Sequence, residues 1–487
     1  MAVSQVDTLK GLLTPVNEHL RTILATQLSP KAVGMLVGLV EVAEAALFVV
    51  ALAWLCSRIA PRHGAGGDRS PQSRSWPLAR LAAAALAGAL LVTSVRFASP
   101  DLTSFFSRWD HLIFCAATGI ALAGSGAATR RTVLTAVSLA FLVLHLGRQP
   151  ILLVAGGGLA GLAALHLTRD ASTRTAALVQ AVVLLATASV CWFERSQNAL
   201  LALRLQGAFG FFLLRHISFV VESRRGMASG PGDYLCYMFF YTSFIGACET
   251  FNEFATRNLS GGGQYDYRAA ATKIVLGHLY LWASFQIEIT FDSVMLIENT
   301  WLLWGSAVVL FIRSSLFVMG MWSGIEGVAL LYGVVLRPNF TGVLTSENPA
   351  QFWRAWRGTM TNWLIRYIYI PLGGNRRHQP INILAAFGVS TAWHAMGIPF
   401  FTGNARPMDF ASVVAWGALN ASAVIGYSYF RGTGRHILPA ATPLLPRRLA
   451  KLALTACFAS FTVTLLDFRP KTTDLFIPFV LRLVGLQ

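Results

Sequence analysis

Blocks of about twenty consecutive apolar residues recur along this chain, and they decide which solvent it folds in. Val33 to Leu55, Trp301 to Met321, Ile381 to Phe401 and Phe410 to Phe430 each approach the ~20 residues that a helix rising ~1.5 Å per residue needs to cross a ~30 Å hydrocarbon core. Shorter blocks lie between them at Leu78 to Val95, His111 to Ala127, Val133 to Leu146, Ile151 to Leu167, Ala176 to Trp192 and Gly207 to Val221. A helix satisfies its own backbone in lipid, and the period-2 alternation of a membrane barrel is absent, so the spans are helical. The expected fold is an all-α integral membrane protein, a bundle of about 11 to 14 membrane segments, some short or re-entrant, around an intramembrane tunnel.

Composition agrees: 55% of the 487 residues are hydrophobic and 13% charged, against roughly a quarter charged in soluble domains. The net charge of +17 does not point to nucleic acid, because the basic residues lie in short clusters between apolar blocks rather than on one module. They alternate along the chain. Clusters at 57–80, 130–131, 169–174 and 224–225 are separated by balanced or weakly charged loops, which predicts an outside amino terminus and cytoplasmic basic loops. Cys56, Cys115, Cys191, Cys236, Cys248 and Cys457 are scattered without metal-ligand or disulfide spacing and read as small buried hydrophobes, so no metal site is expected. No short apolar leader with a cleavage site precedes Val33, and none is expected to be removed.

Three regions follow. Residues 1–32 carry Leu9, Leu12, Leu13, Val16, Leu20 and Ile23 at helical spacing, which suits an interfacial or extramembrane helix. Residues 33–200 are amino-terminal transmembrane helices, interrupted by a Gly-, Pro-, Ser- and Arg-rich loop from Ser57 to Arg80. Residues 201–487 form the functional core with the carboxyl-terminal helices. Here Glu249, Glu253, His278, Glu288, Asp292, Arg313, Glu326 and Arg357 stand in apolar context, a placement that is costly in lipid and usually faces a protein interior.

The most informative stretch runs from Phe352-Trp353-Arg354-Ala355-Trp356-Arg357, through Trp363-Leu364-Ile365-Arg366-Tyr367-Ile368-Tyr369-Ile370-Pro371-Leu372-Gly373-Gly374-Asn375-Arg376-Arg377, to Trp393-His394. Interleaved aromatic and arginine side chains suit the headgroup level, and Pro371 with Gly373-Gly374 breaks the helix, so an interfacial or re-entrant segment is expected on the cytoplasmic side. His394 then falls about 20 Å into a helix starting near Ile381. An imidazole at that depth is either packed and hydrogen-bonded between helices or functional.

These residues resemble the membrane-bound O-acyltransferase superfamily, in particular its bacterial branch that esterifies polysaccharides and other envelope polymers. Phe211-Phe212 through Ile217-Ser218-Phe219 to Glu222 and Arg224-Arg225-Gly226 is similar to the family's FFTFQxISYxxDxYRG stretch, Gly246 to Phe254 to its GPxxxxxxF stretch, and Asn339-Phe340 to its ENF element. Phe352 to Arg377 resembles the FWRRWH…W…RDYIYIPLGGNR signature, and Trp393-His394 the WH that carries the family's histidine. The chain departs from the pattern at Arg357, where the family has His or Asn, at Ala247 for Pro, at Arg215 for Gln, and at Ile365-Arg366 where the family has an Asp.

The resemblance implies acyl transfer from a thioester to a hydroxyl in a bacterial cytoplasmic membrane. A hydroxyl attacks poorly until a base removes its proton, and a neutral imidazole, here His394, has the basicity for that near pH 7. The oxyanion that develops needs donors, for which Arg357, Asn362 and a backbone N–H of the broken segment are the candidates. Trp353, Arg354, Trp356, Arg366, Tyr367, Arg376, Arg377 and Trp393 are the expected substrate-binding residues, the arginines attracting the phosphates of an acyl-CoA or acyl-carrier-protein donor or, alternatively, anionic lipid. No bound cofactor is expected. The expected partners are the bilayer, the donor and an extracytoplasmic acyl-transfer protein. Two other classes compete: a catalytically silent scaffold, which the departures at Arg357 and around His394 motivate, and a multispan transporter or flippase, which would show pseudo-symmetric halves.

Overall fold

The computed structural model describes residues 29–59, 76–96, 108–195, 199–402, 407–432, 444–466 and 473–486, apart from 228, 245–247, 262, 290–292 and 295. Every regular element among the described residues is helical. The protein is a multispan helical membrane protein, as the apolar blocks require.

Helices α1 (Pro30–Ile59), α2 (Trp76–Arg96), α3 (Trp109–Leu122), α4 (Ala127–Leu146), α5 (Arg148–Leu167), α6 (Thr173–Arg195) and α7 (Ala199–Arg224) form the amino-terminal part. Short helices α8 (Pro231–Phe239), α9 (Tyr241–Phe244) and α10 (Phe251–Asn258) lead into the long α11 (Tyr267–Phe285) and α12 (Thr300–Leu331). Then come α13 (Pro349–Ala355), α14 (Gly358–Leu364) with a π turn at Ile365–Tyr369, α15 (Gln379–Thr402), α16 (Pro407–Gly432), α17 (Leu444–Leu465) and α18 (Thr473–Leu483). Among the described residues, six helices are long and apolar enough to cross a membrane on their own, including Arg148–Leu167, Thr300–Leu331 and Pro407–Gly432. Large apolar side chains such as Leu47, Leu167 and Trp301 are exposed on their outer faces, as lipid contact demands.

The helices differ from the apolar blocks where charge is tolerated. The expected loop from Ser57 to Arg80 is shorter than the composition implied, since α1 continues to Ile59 and α2 begins at Trp76; its middle, like residues 1–28, lies outside the described residues. Arg58 sits in the last turn of α1, where a cation meets the negative end of the helix. Arg130 and Arg131, read from sequence as a basic loop, are in the first turns of α4. Arg130 is buried because its guanidinium donates to the carbonyl oxygens of Asn258 (2.5 Å) and Gly333 (2.8 Å), and Arg131 pairs with Asp233 at 2.7 Å. No long block marks α11, because Arg268, Lys273 and His278 interrupt it. The His278 ring accordingly turns back onto the Ile274 carbonyl.

Lipid supplies no hydrophobic force between helices, so close packing must come from small residues. α11 and α12 show this. A Cβ added at Gly320 would come within 2.9 Å of the Gly277 carbonyl oxygen and the Leu281 backbone nitrogen, and one at Gly327 within 2.9 Å of the Ala270 carbonyl oxygen. Gly320→Ala is therefore expected to cost about 1–3 kcal/mol as overpacking, measured as a lower unfolding temperature in detergent. Gly305→Ala, where an added Cβ meets nothing within 4 Å, should change it little, and equal behaviour of the two variants would remove the close-packing account.

The charge alternation carries its own test of orientation. A single cysteine at Ala65, in a background without the six native cysteines, should be shielded from an impermeant maleimide in intact cells and react after permeabilisation. Labelling of intact cells would invert the topology.

Candidate functional site

The signature stretch folds as two short helices and a π turn, and its turns are individually braced. Asn348 caps α13, its side chain accepting from the Gln351 N–H at 2.8 Å with Pro349 at the first helical position. The chain then reverses at Arg357, which holds the left-handed backbone region at φ 48°, a conformation that costs a non-glycine residue about 1 kcal/mol or more. What sustains it is Asn339. Its carbonyl accepts from the Gly358 N–H at 2.7 Å, and its side-chain oxygen accepts from the Thr359 hydroxyl at 2.7 Å. Behind it, the Asn339 N–H donates to Glu326, which pairs with Lys273 at 2.6 Å. Glu326 thus proves to be an interhelical partner, while Asp292 lies outside the described residues.

One face of α7 acts as a ruler for depth. Glu222 accepts from Nε and Nη2 of Arg366, both at 2.7 Å, and from the Tyr367 hydroxyl at 2.9 Å. One turn deeper, Ser218 Oγ is 2.7 Å from that hydroxyl. Next, the Leu214 carbonyl accepts from Trp363 Nε1 at 3.0 Å. Finally, Gly210 faces Trp393 so closely that an added Cβ would come within 2.8 Å of the indole. Residues 210, 214, 218 and 222 share a helix face, so Trp393 lies about 18 Å in from the Glu222–Arg366 pair. Counting fifteen residues along α15 from Gln379 to His394 gives a similar depth of about 22 Å.

At that depth His394 is half-buried, its ring edge-on to Trp416 of α16 at 5.0 Å between centroids. Trp416 is fully buried and meets Trp353 at 5.5 Å, whose Nε1 donates to Asn420 at 3.0 Å. The imidazole is thereby backed by an aromatic wall joining α13, α15 and α16. Arg357 lies within electrostatic range of both His394 and Cys248. Its guanidinium has no ion-pair or hydrogen-bond partner among the described residues.

The other expected residues distribute differently. Asn362, an expected oxyanion donor, donates to Glu253 at 3.0 Å and so anchors α14 to α10. Arg366 and Tyr367 are committed to Glu222. Trp356 stacks on Phe352 and Phe311 and meets Phe340 edge-on, and Trp393 packs on Phe211. Arg376 and Arg377 are exposed, as is Arg354. The departure at Arg215 has a structural account, since this buried guanidinium donates to the carbonyl oxygens of Tyr237 and Ser243, each at 2.6 Å. Glu249 pairs with Arg257 at 2.8 Å, and Glu253 pairs with Arg337. Burial pushes the Glu249 carboxyl up to about 7, against the opposing pull of Arg257. No group of ligating side chains suited to a metal occurs among the described residues.

Sequence reasoning missed Trp416, Asn420 and the bracing role of Asn339. Trp416 and Asn420 sit in an apolar block that reads as a plain span. Asn339 was visible only as part of a motif, with nothing local to say what it braces.

Residues 181–408 match the membrane-bound O-acyltransferase family. A peptidoglycan O-acetyltransferase of Helicobacter pylori is 36% identical over 77 residues, 15% of this chain and 15% of that protein. A probable alginate O-acetylase of Pseudomonas syringae pv. tomato is 28% identical over 130 residues, 23% of this chain and 25% of the relative. A membrane-bound O-acyltransferase of the yeast Millerozyma farinosa is 49% identical over 43 residues, 9% of this chain and 8% of the relative. The matched stretches thus span a quarter or less of these relatives' lengths.

Proposed function

We propose, from the match of residues 181–408 to the membrane-bound O-acyltransferase family, that this chain transfers an acyl group from a thioester to a hydroxyl within the membrane of a bacterial cell. The observation that carries the reading is that His394, about 20 Å along α15, lies within electrostatic range of an Arg357 guanidinium that no carboxylate among the described residues neutralises. His394 takes the proton of the acceptor hydroxyl as its oxygen bonds to the acyl carbon. Arg357 stabilises the oxyanion of the tetrahedral intermediate. The carbon–sulfur bond then breaks, and the thiolate leaves with the proton from the imidazolium.

The donor is an acyl-CoA or an acyl-carrier-protein thioester arriving from the cytoplasmic side, where the exposed arginines lie. Two of the relatives carry names that specify O-acetylation of peptidoglycan and alginate, and acetyl transfer to a hydroxyl of an envelope polysaccharide is the corresponding proposal here, with an extracytoplasmic protein carrying the group onward. The test is reconstitution. Proteoliposomes holding the full chain receive acetyl-labelled coenzyme A or acetyl-labelled carrier protein, and the label is followed into polysaccharide, lipid and peptide acceptors. Label in a hydroxyl ester above protein-free vesicles is expected. Its absence with both donors and all three acceptor classes would defeat the acyltransferase reading.

A further inference from the structure

Arg357 and His394 stand on different helices, and the chain between them passes through a π turn. Arg357 lies at the start of α14, which runs straight into the turn at Ile365–Tyr369, and His394 follows on α15. Within the turn the Ile370 N–H donates to the Ile365 carbonyl oxygen at 2.9 Å, five residues back. Such a turn holds one residue more than an α turn and recurs at functional sites. Rewinding it to an α turn would rotate the chain beyond it by about 100° and shift it by about 1.5 Å relative to α14.

What keeps the turn wound is on α7. The buried Glu222 accepts from both arms of Arg366 and from the Tyr367 hydroxyl, so it clasps two consecutive residues of the π turn. Arg225, at 3.1 Å, steadies the carboxylate from its own helix. Because a carboxylate only accepts, the Tyr367 O–H points to Glu222 and the Ser218 O–H to Tyr367, while Ser218 Oγ accepts from the Phe251 N–H at 2.7 Å. Beyond the turn, the Tyr369 hydroxyl donates to Asn375 at 2.5 Å, and Asn382 of α15 donates to the Gly374 and Arg377 carbonyl oxygens at 2.9 and 2.6 Å. The break before α15 is therefore stiff, and a displacement of the turn is passed on rather than absorbed. Lipid supplies no hydrophobic force to restore the register. We propose that Glu222 is a positioning residue for the reaction: its clasp on Arg366 and Tyr367 keeps the π turn wound and thereby holds the Arg357 guanidinium in place relative to His394. The role rests on the acyltransferase reading; the clasp itself does not.

The experiment uses the full chain in phosphatidylcholine nanodiscs, as wild type, Glu222→Gln, Arg366→Lys and Arg357→Lys, with each of the first two substitutions also combined with Arg357→Lys. Hydrogen–deuterium exchange reads the π turn without reference to activity. Amides of residues 365–374 should exchange about tenfold faster in Glu222→Gln, the worth of one charge-assisted contact, while those of α12 keep wild-type rates. Label transfer from acetyl-coenzyme A and acetyl-carrier protein into polysaccharide, lipid and peptide hydroxyls reads the reaction. Glu222→Gln should lower kcat about tenfold to hundredfold with donor KM within about twofold, the mark of misplaced reacting groups rather than lost binding. Arg366→Lys, whose ammonium cannot span both carboxylate oxygens, should act in the same direction, and it carries the same cycle where Glu222→Gln fails to insert. In the Arg357→Lys background either substitution should change kcat by less than about twofold, because the group being positioned is already gone. A clasp that served the fold alone would take the same factor from both backgrounds. Wild-type transfer with equal losses in both backgrounds, or with kcat unchanged in both single variants, would overturn the positioning role and leave acyl transfer standing. Unchanged exchange at 365–374 would overturn the clasp. Faster exchange without any transfer by the wild type would leave the clasp and remove the reaction it serves.

Discussion

His394→Ala should reduce acyl transfer by about 10²–10⁴-fold, the usual loss when a positioned base is removed, at unchanged amounts of protein in the membrane. The fold should survive because the imidazole is only half-buried and meets Trp416 edge-on, and because Trp416 keeps its contact with Trp353. The change also relieves the bilayer interior of a polar group. The measurement is initial rate of label transfer per milligram of inserted protein, together with the unfolding temperature of the purified variant. Wild-type turnover in His394→Ala would return the histidine to a packing role. Trp393→Phe is the useful companion, since it alters the packing against Gly210 and Phe211 while leaving the base in place, and should cost far less than loss of the imidazole.

Arg357→Lys is expected to lower kcat by about 10²–10³-fold, comparable to losing one oxyanion donor, with a much smaller change in donor KM. An ammonium retains the charge but not the planar set of five N–H groups. A purely electrostatic or anchoring arginine would tolerate that replacement, so kcat close to wild type would remove Arg357 from the reaction. Arg357→Gly separates chemistry from backbone strain. Glycine fits the left-handed turn at φ 48° better than arginine does, so this variant should fold at least as readily at the turn and still lose transfer. If it kept its activity, the guanidinium would have no part in catalysis.

Arg357 also shows that the surroundings of a departure from a family pattern become visible only in the structure. In sequence it stands where a different polar residue is expected, which raised the possibility of a silent scaffold. In the fold it stands at the start of α14, whose first turn is held by Asn339, and lies within electrostatic range of His394 with no carboxylate partner among the described residues. Arg366 illustrates the opposite case. The sequence places it among the donor-attracting arginines, yet both of its arms close on Glu222, 144 positions away, and fasten the π turn to α7.

What the sequence determined by itself was whatever depends on local composition and period. Apolar blocks near twenty residues dictated membrane helices because lipid leaves no other way to satisfy the backbone. Pro371 with Gly373 and Gly374 dictated the break before α15, since proline lacks the N–H a helix needs and the two glycines take positive φ values of 116° and 56°. The depth of His394 followed from counting residues along one helix. What only the tertiary structure decided was partnership between residues far apart in the chain: that Arg366 closes on Glu222, that Asn362 turns to Glu253 and that Trp416 backs the histidine. The reason is physical. A charge or an aromatic ring in an apolar block has the same local signature whether it faces lipid, a neighbouring helix or a substrate, and only the packing of separate helices settles which of these it meets.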